Sequence, residues 1–205
     1  MRPDAVQIRV LGALLEKQRT TPDTYPLTLN ALRAACNQST NREPVVDYDE
    51  RMIRAALEEL GRRRWTRNAS GPGSRAPKYR HLLADSLQIQ PDDQAILAVL
   101  MLRGPQTPGE LRARTERLHR FADQQAVDGT IERLIGRGLV ERMERRPGQK
   151  EVRYRQLLGG EEDAGGASII GGTVAAPGAP AAGGAVAGGG GAAAGGAAGG
   201  AAAGG

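Results

Sequence analysis

Residues 49–65, DERMIRAALEELGRRRW, and residues 123–139, DQQAVDGTIERLIGRGL, are two versions of one segment. Ile53, Leu57, Leu60, Arg64 and Trp65 recur as Val127, Ile131, Leu134, Gly138 and Leu139 at an offset of 74 residues. In both versions the apolar members keep helical spacing, and an aspartate, Asp49 or Asp123, stands where an N-cap is needed. Downstream, Tyr79, Leu82 and Leu83 match Tyr154, Leu157 and Leu158 at an offset of 75 residues, which places one extra residue in the intervening hairpin. Upstream, Leu11, Leu14 and Lys17 match Leu97, Leu100 and Arg103, while Thr28 and Leu32 match Thr107 and Leu111. Copies that share apolar spacing but differ in loop length are duplicated domains, since two are too few to stack a continuous solenoid core.

Each copy reads helix, helix, helix, strand, hairpin loop, strand. Val6, Val10, Leu11, Leu14 and Leu15 form the stripe of a first helix that ends before Thr20, Thr21 and Pro22. Thr28 caps a second helix carrying Leu29, Leu32 and Cys36, and Asp49 caps a third that buries Met52, Ile53, Ala56, Leu57 and Leu60. Trp65 opens a strand, the turn-formers from Asn68 to Ser74 interrupt it, and Lys78 to Leu82 return. The second copy repeats this plan. Pro91 to Leu102 form its first helix, Thr107 and Asp123 cap the next two, and Leu139 to Arg142 pair with Val152 to Gln156. The expected fold is mainly α with small β-hairpins (α+β), as two tandem winged-helix (helix-turn-helix) domains. Their bounds are 1–84 and 91–158, joined by a linker at 85–90 and followed by a disordered Gly/Ala-rich C-terminal tail at 159–205.

All 28 Lys plus Arg and all 23 Asp plus Glu lie in residues 1 to 163. Beyond them the chain is nearly all Gly and Ala, too poor in burial to offset its ordering entropy. That uncharged run is no membrane span either, because Gly contributes almost no transfer energy and Ile169, Ile170 and Val174 are too few. Met1 leads directly into a helical pattern with no apolar leader, so the expected compartment is the cytoplasm. Cys36 is the only cysteine, which excludes an intrachain disulfide or a thiolate zinc cluster, and its alanine neighbours mark it as a small buried hydrophobe. His81 and His119 have no nucleophile at catalytic spacing, and no glycine loop stands between a strand and a helix. We therefore expect neither an enzyme nor a cofactor or metal.

The string Asn37, Gln38, Ser39, Thr40, Asn41, Arg42, Glu43, Pro44, with Ala35 and Cys36 before it, resembles the bacterial YceH family of uncharacterised proteins. Leu14 to Gln18, then Thr21, Pro22 and Tyr25 to Leu27, fit as well, as do Leu102 to Gly104 and Gln106 to Leu111. The likeness covers about residues 5 to 158 and implies tandem winged helices; the Gly/Ala tail lies outside it.

A winged helix places its third helix in a major groove and its wing along the adjoining phosphates. On the third helix of copy one, the face opposite Ile53 and Leu57 carries Arg51, Arg54, Glu58 and Arg62; copy two offers Gln125, Asp128, Gly129, Glu132 and Gly136 there. Residues 1 to 84 hold 15 Lys plus Arg against 9 Asp plus Glu, a net of +6, whereas residues 85 to 158 hold 13 against 11, a net of +2. Copy one is thus the expected reader of duplex DNA. Further candidate DNA contacts are Arg67, Arg75 and Lys78 on the first wing, Arg145, Arg146 and Lys150 on the second, and Arg42 in the loop before helix three. The alternatives are ordinary ones: Arg54 and Arg62 pairing with Glu58 on a solvated helix, and Arg42 pairing with Glu43 or Asp47 inside a structural loop. The rival to a DNA-binding regulator is a non-catalytic protein-interaction module, as a homodimer or with a protein partner.

Overall fold

Short polar side chains start the main helices of the first half. In the computed structural model, which describes residues 2–70, 76–145, 148 and 150–160, Asp4 accepts from the Gln7 amide at 2.8 Å and opens α1, Ala5–Thr20. Thr28 accepts from Ala31 at the start of α2, Leu29–Cys36. Asp49 does the same for Met52 at the start of α3, Glu50–Arg62. Each cap answers one amide that would otherwise lack a helical acceptor. After a left-handed Arg64, strand β2, Thr66–Asn68, pairs antiparallel with β3, Lys78–His81. A two-residue strand, Leu27–Thr28, pairs with the other edge of β3; it is β1, and the sheet order is β1-β3-β2. This third strand has too few residues to show alternation, so only its partner reveals it.

The stretch expected as a linker begins within a short helix, α4, Leu83–Leu87, which ends at a left-handed Gln88. Then come α5, Pro91–Arg103, α6, Pro108–Thr115, and α7, Gln124–Gly136, followed by the pair β4, Val140–Arg142, and β5, Tyr154–Gln156. Thr107 and Glu110 form a reciprocal capping box on α6, and Asp123 caps α7. The described residues thus hold seven α-helices and small antiparallel sheets. The two halves end α3 and α7 alike. Trp65 donates to the Leu60 carbonyl at 2.9 Å and Leu139 to the Leu134 carbonyl at 3.0 Å. The residue before each is left-handed, with φ of 60° at Arg64 and 66° at Gly138. Copy two uses glycine where this backbone favours it, and copy one bends an arginine into the same place.

The first helix of each copy is buried all round rather than along a stripe. In α1 Gln7 through Leu15 are buried, and in α5 Asp93 through Leu102. These two helices lie against each other, and at the crossing an added Cβ on Gly12 would stand 2.9 Å from Leu102 Cγ and Met101 Cβ. One apolar cluster runs through both halves, from Leu11, Leu32 and Ile53 to Leu97, Leu111 and Ile131. Trp65 and Tyr79, partly buried, pack against it, whereas Met52, expected inside, is 37% exposed and does not join it. Met1–Ser168 is one compact unit; the second unit, Ile169–Gly205, and the rest of the expected tail from residue 161 lie outside the described residues. No described helix is long and apolar enough to cross a membrane.

Two buried groups show what tertiary packing does to single side chains. Cys36 is fully buried, and burial pushes its thiol up to about 12. His81 is 3% exposed; its Nε2 meets Gln18 Oε1 at 2.6 Å while Nδ1 has no partner, so a second ring proton would be stranded. Burial is the largest cause pulling its pKa to about 4 from 6.5; Arg80 and Arg19 add to the fall, and Asp85 opposes it. The unfolded chain therefore binds this proton more readily than the folded one. Stability should be full above about pH 6.5 and fall as pH drops towards 4, by about 3 kcal/mol in all. Urea unfolding across this range, beside His81→Leu, checks it: the variant should lose most of this acid slope, and an unaltered slope would assign it elsewhere.

Candidate nucleic-acid interface

The exposed face of α3 presents Arg51, Arg54, Glu58 and Arg62 to solvent, as its spacing predicts. Their pairing differs from expectation. Arg54 turns back to Glu50 at 2.6 Å and Arg62 bonds Glu59, the residue beside Glu58, so Glu58 takes neither. Such exposed pairs are each worth a few tenths of a kcal/mol and break easily for a stronger anion. Arg51 has no acidic partner among the described residues.

The hairpin that follows supplies the feature that separates the two copies. In β2 and β3, Arg67 stands directly opposite Arg80, and Lys78 lies two residues along on the same face of the sheet. Thr66 and His81 turn to the other face and are buried. Like charges opposite each other in a sheet repel, so three cations on one face form a surface that a phosphate row would relieve. Arg80 Nε is buried without a hydrogen-bond partner, and nothing in the sequence singles this residue out, because it lies inside the strand rather than beside the turn. In β4 and β5 the corresponding cross-strand pair is Glu141 opposite Arg155, and the two are ion-paired. The second hairpin neutralises itself where the first does not.

Arg42 lies elsewhere. Its side chain has no exposed surface, and it forms a 2.6 Å ion pair with Glu16 while also donating to the Ala35 and Asn41 carbonyls and to Gln38. It cannot reach a duplex, and its acid is Glu16 on α1 rather than Glu43 or Asp47. Burial raises the Glu16 pKa, but Arg42 and Lys17 outweigh that and hold the carboxyl below its usual range. Arg9, also buried, donates to the Cys36 and Pro44 carbonyls, and Asn37 bridges to both backbone groups of Tyr48. The Asn37–Pro44 loop is therefore a brace held from within. Of the other candidates, Arg145 and Lys150 are exposed near the second hairpin; Arg75 and Arg146 lie outside the described residues. On α7, Gln125, Asp128, Gly129, Glu132 and Gly136 are all exposed, leaving that face acidic.

The model of a family described as a protein of unknown function, DUF480, matches residues 4–149. The chain belongs to the DUF480 family. Within it, a UPF0502 protein of Geotalea daltonii is 51% identical over 158 residues, covering 76% of this chain and 72% of the relative. Another from Solibacter usitatus is 49% identical, covering 77% and 76%. The UPF0502 protein azo0627 of Azoarcus sp. is 49% identical, covering 78% and 71%. The likeness carried by the Asn37–Pro44 string agrees with this DUF480 assignment, and the residues of that string are the ones that Arg9, Arg42 and Asn37 tie down.

Proposed function

We propose that this protein is a non-catalytic, cytoplasmic tandem winged-helix protein that binds duplex DNA through α3 and the first hairpin, in transcriptional regulation. The observation that carries this reading is the uncompensated cationic face of β2 and β3, Arg67 with Arg80 and Lys78, beside the exposed arginines of α3. A helix and a hairpin that follow one another, both basic on their outer sides, suit a groove and its flanking phosphates. Copy two, with its acidic α7 face and its paired Glu141 and Arg155, contributes less to that contact.

A protein-interaction role has one observation of its own. Met52 and Val45 are large apolar side chains left exposed, at 37% and 58%, on and just before α3. The test is fluorescence anisotropy of the full chain with mixed-sequence duplex at several salt concentrations. Replacing Arg51, Arg54 and Arg62 with alanine should weaken binding at low salt by about 10-fold or more and flatten the salt dependence by up to about three contacts' worth. Duplex binding that ignores these substitutions, or none at low salt, would turn the assignment towards the protein partner.

A further inference from the structure

A cleft of about 230 Å³ lies where α1, α5, α6 and the Asn37–Pro44 loop meet. Its apolar wall is Val99, Leu102 and Leu118, and its cations are Arg103, Arg114 and Arg117. Glu16 also lines it, but that carboxylate is already held by Arg42 and Lys17. Arg114 leans on Glu110 at 3.6 Å. Arg103 bonds only the neutral amide of Asn41, and Arg117 has no ion-pair partner among the described residues. The cleft thus holds more positive charge than its own acids answer, beside a hydrophobic surface. Burial lowers the Arg103 pKa, and the nearby charges of Arg114 and Arg42 lower it further, outweighing Glu43 and Glu16.

We propose that this cleft binds a small organic carboxylate with an apolar body, its anion between Arg103 and Arg117 and its hydrocarbon against Val99, Leu102 and Leu118. Two facts select that class. The volume is below the usual range for drug-sized ligands, and it exceeds the roughly 150 Å³ that accommodates benzene, so about ten non-hydrogen atoms fit. One guanidinium takes a planar carboxylate in two parallel hydrogen bonds while a second adds charge, and a purely inorganic anion would leave the apolar wall wet. The occupant would touch α1 of the first copy and α5 and α6 of the second at once.

The test is isothermal titration of the full chain with benzoate and hexanoate as probes, benzamide as the neutral match for benzoate, and inorganic phosphate as the charge without the body. At least one carboxylate should bind with a Kd of about 1 mM or tighter, as its size allows. Benzamide and phosphate should each bind at least about tenfold more weakly, a difference of about 1.4 kcal/mol. Arg103→Met should weaken the carboxylate by about tenfold or more. Arg117→Met, at an exposed position that does not threaten folding, should do so by about threefold or more. The proposal is overturned if neither carboxylate saturates, if benzamide or phosphate binds as well, or if both arginine variants, with unaltered circular dichroism, bind as the parent does.

Discussion

Replacing Arg42 with alanine should lower the stability of the protein by about 3–5 kcal/mol, the usual cost of removing one partner from a buried ion pair. Its side chain is wholly enclosed, and it serves a carboxylate, a side-chain amide and two backbone carbonyls at once. Removal leaves the Ala35 carbonyl without the two guanidinium donors that reach it, and leaves Glu16 to Lys17, 3.3 Å away on the rim. Since whole domains are stable by only about 5–15 kcal/mol, the loss is a large fraction of the total. Urea unfolding followed by circular dichroism measures it. A double-mutant cycle with Glu16→Gln should give a coupling above about 1 kcal/mol, because the two share one network. A loss below about 1 kcal/mol would mean that the loop stands without its arginine.

Gly12→Val should be the other severe change, and Gly12→Ala the informative one. In a helix interior alanine is favoured over glycine by about 1 kcal/mol. Here the new Cβ would meet Met101 Cβ and Leu102 Cγ, both 2.9 Å away, so α1 and α5 must separate. Met101 Cβ is fixed to its backbone and cannot swing aside. Overpacking of this kind costs about 1–3 kcal/mol, and we expect it to overturn the propensity gain for alanine. Valine adds two more methyl groups at the same crossing and should exceed that range. Thermal unfolding reads both, at roughly 2–4 °C per kcal/mol for a chain of this size. A stabilised Gly12→Ala would show that the helix pair can part without penalty.

The legible parts of this fold were those written in neighbouring residues. Asp49, Thr107 and Asp123 announced helix starts because a cap is a bond across three residues. Arg64 and Gly138 are matched by the repeat, but that both are left-handed is seen only in the backbone. Strand positions agree to within about a residue at several ends: Trp65, Leu82 and Leu139 lie just outside the strands, although Leu82 still donates to the Trp65 carbonyl at 2.7 Å and Leu157 to that of Leu139 at 2.9 Å. At the candidate interface, the basic face of α3 followed from helical period alone. Arg80 did not, since its importance comes from Arg67 lying opposite it, and that register depends on the turn between them.

The internal repeat of apolar spacing, the order of the main helices and hairpins, and the charge difference between the two halves can be read along the chain, because period, caps and composition are local properties. Only the tertiary structure decided that α1 and α5 are buried on every side, that Leu27–Thr28 becomes a third strand, and that Arg42 turns inward to Glu16. Each of those depends on partners distant in sequence. Whether an arginine stands in water or in the core is settled by the acid that packing brings to it, and no spacing along the chain specifies that acid.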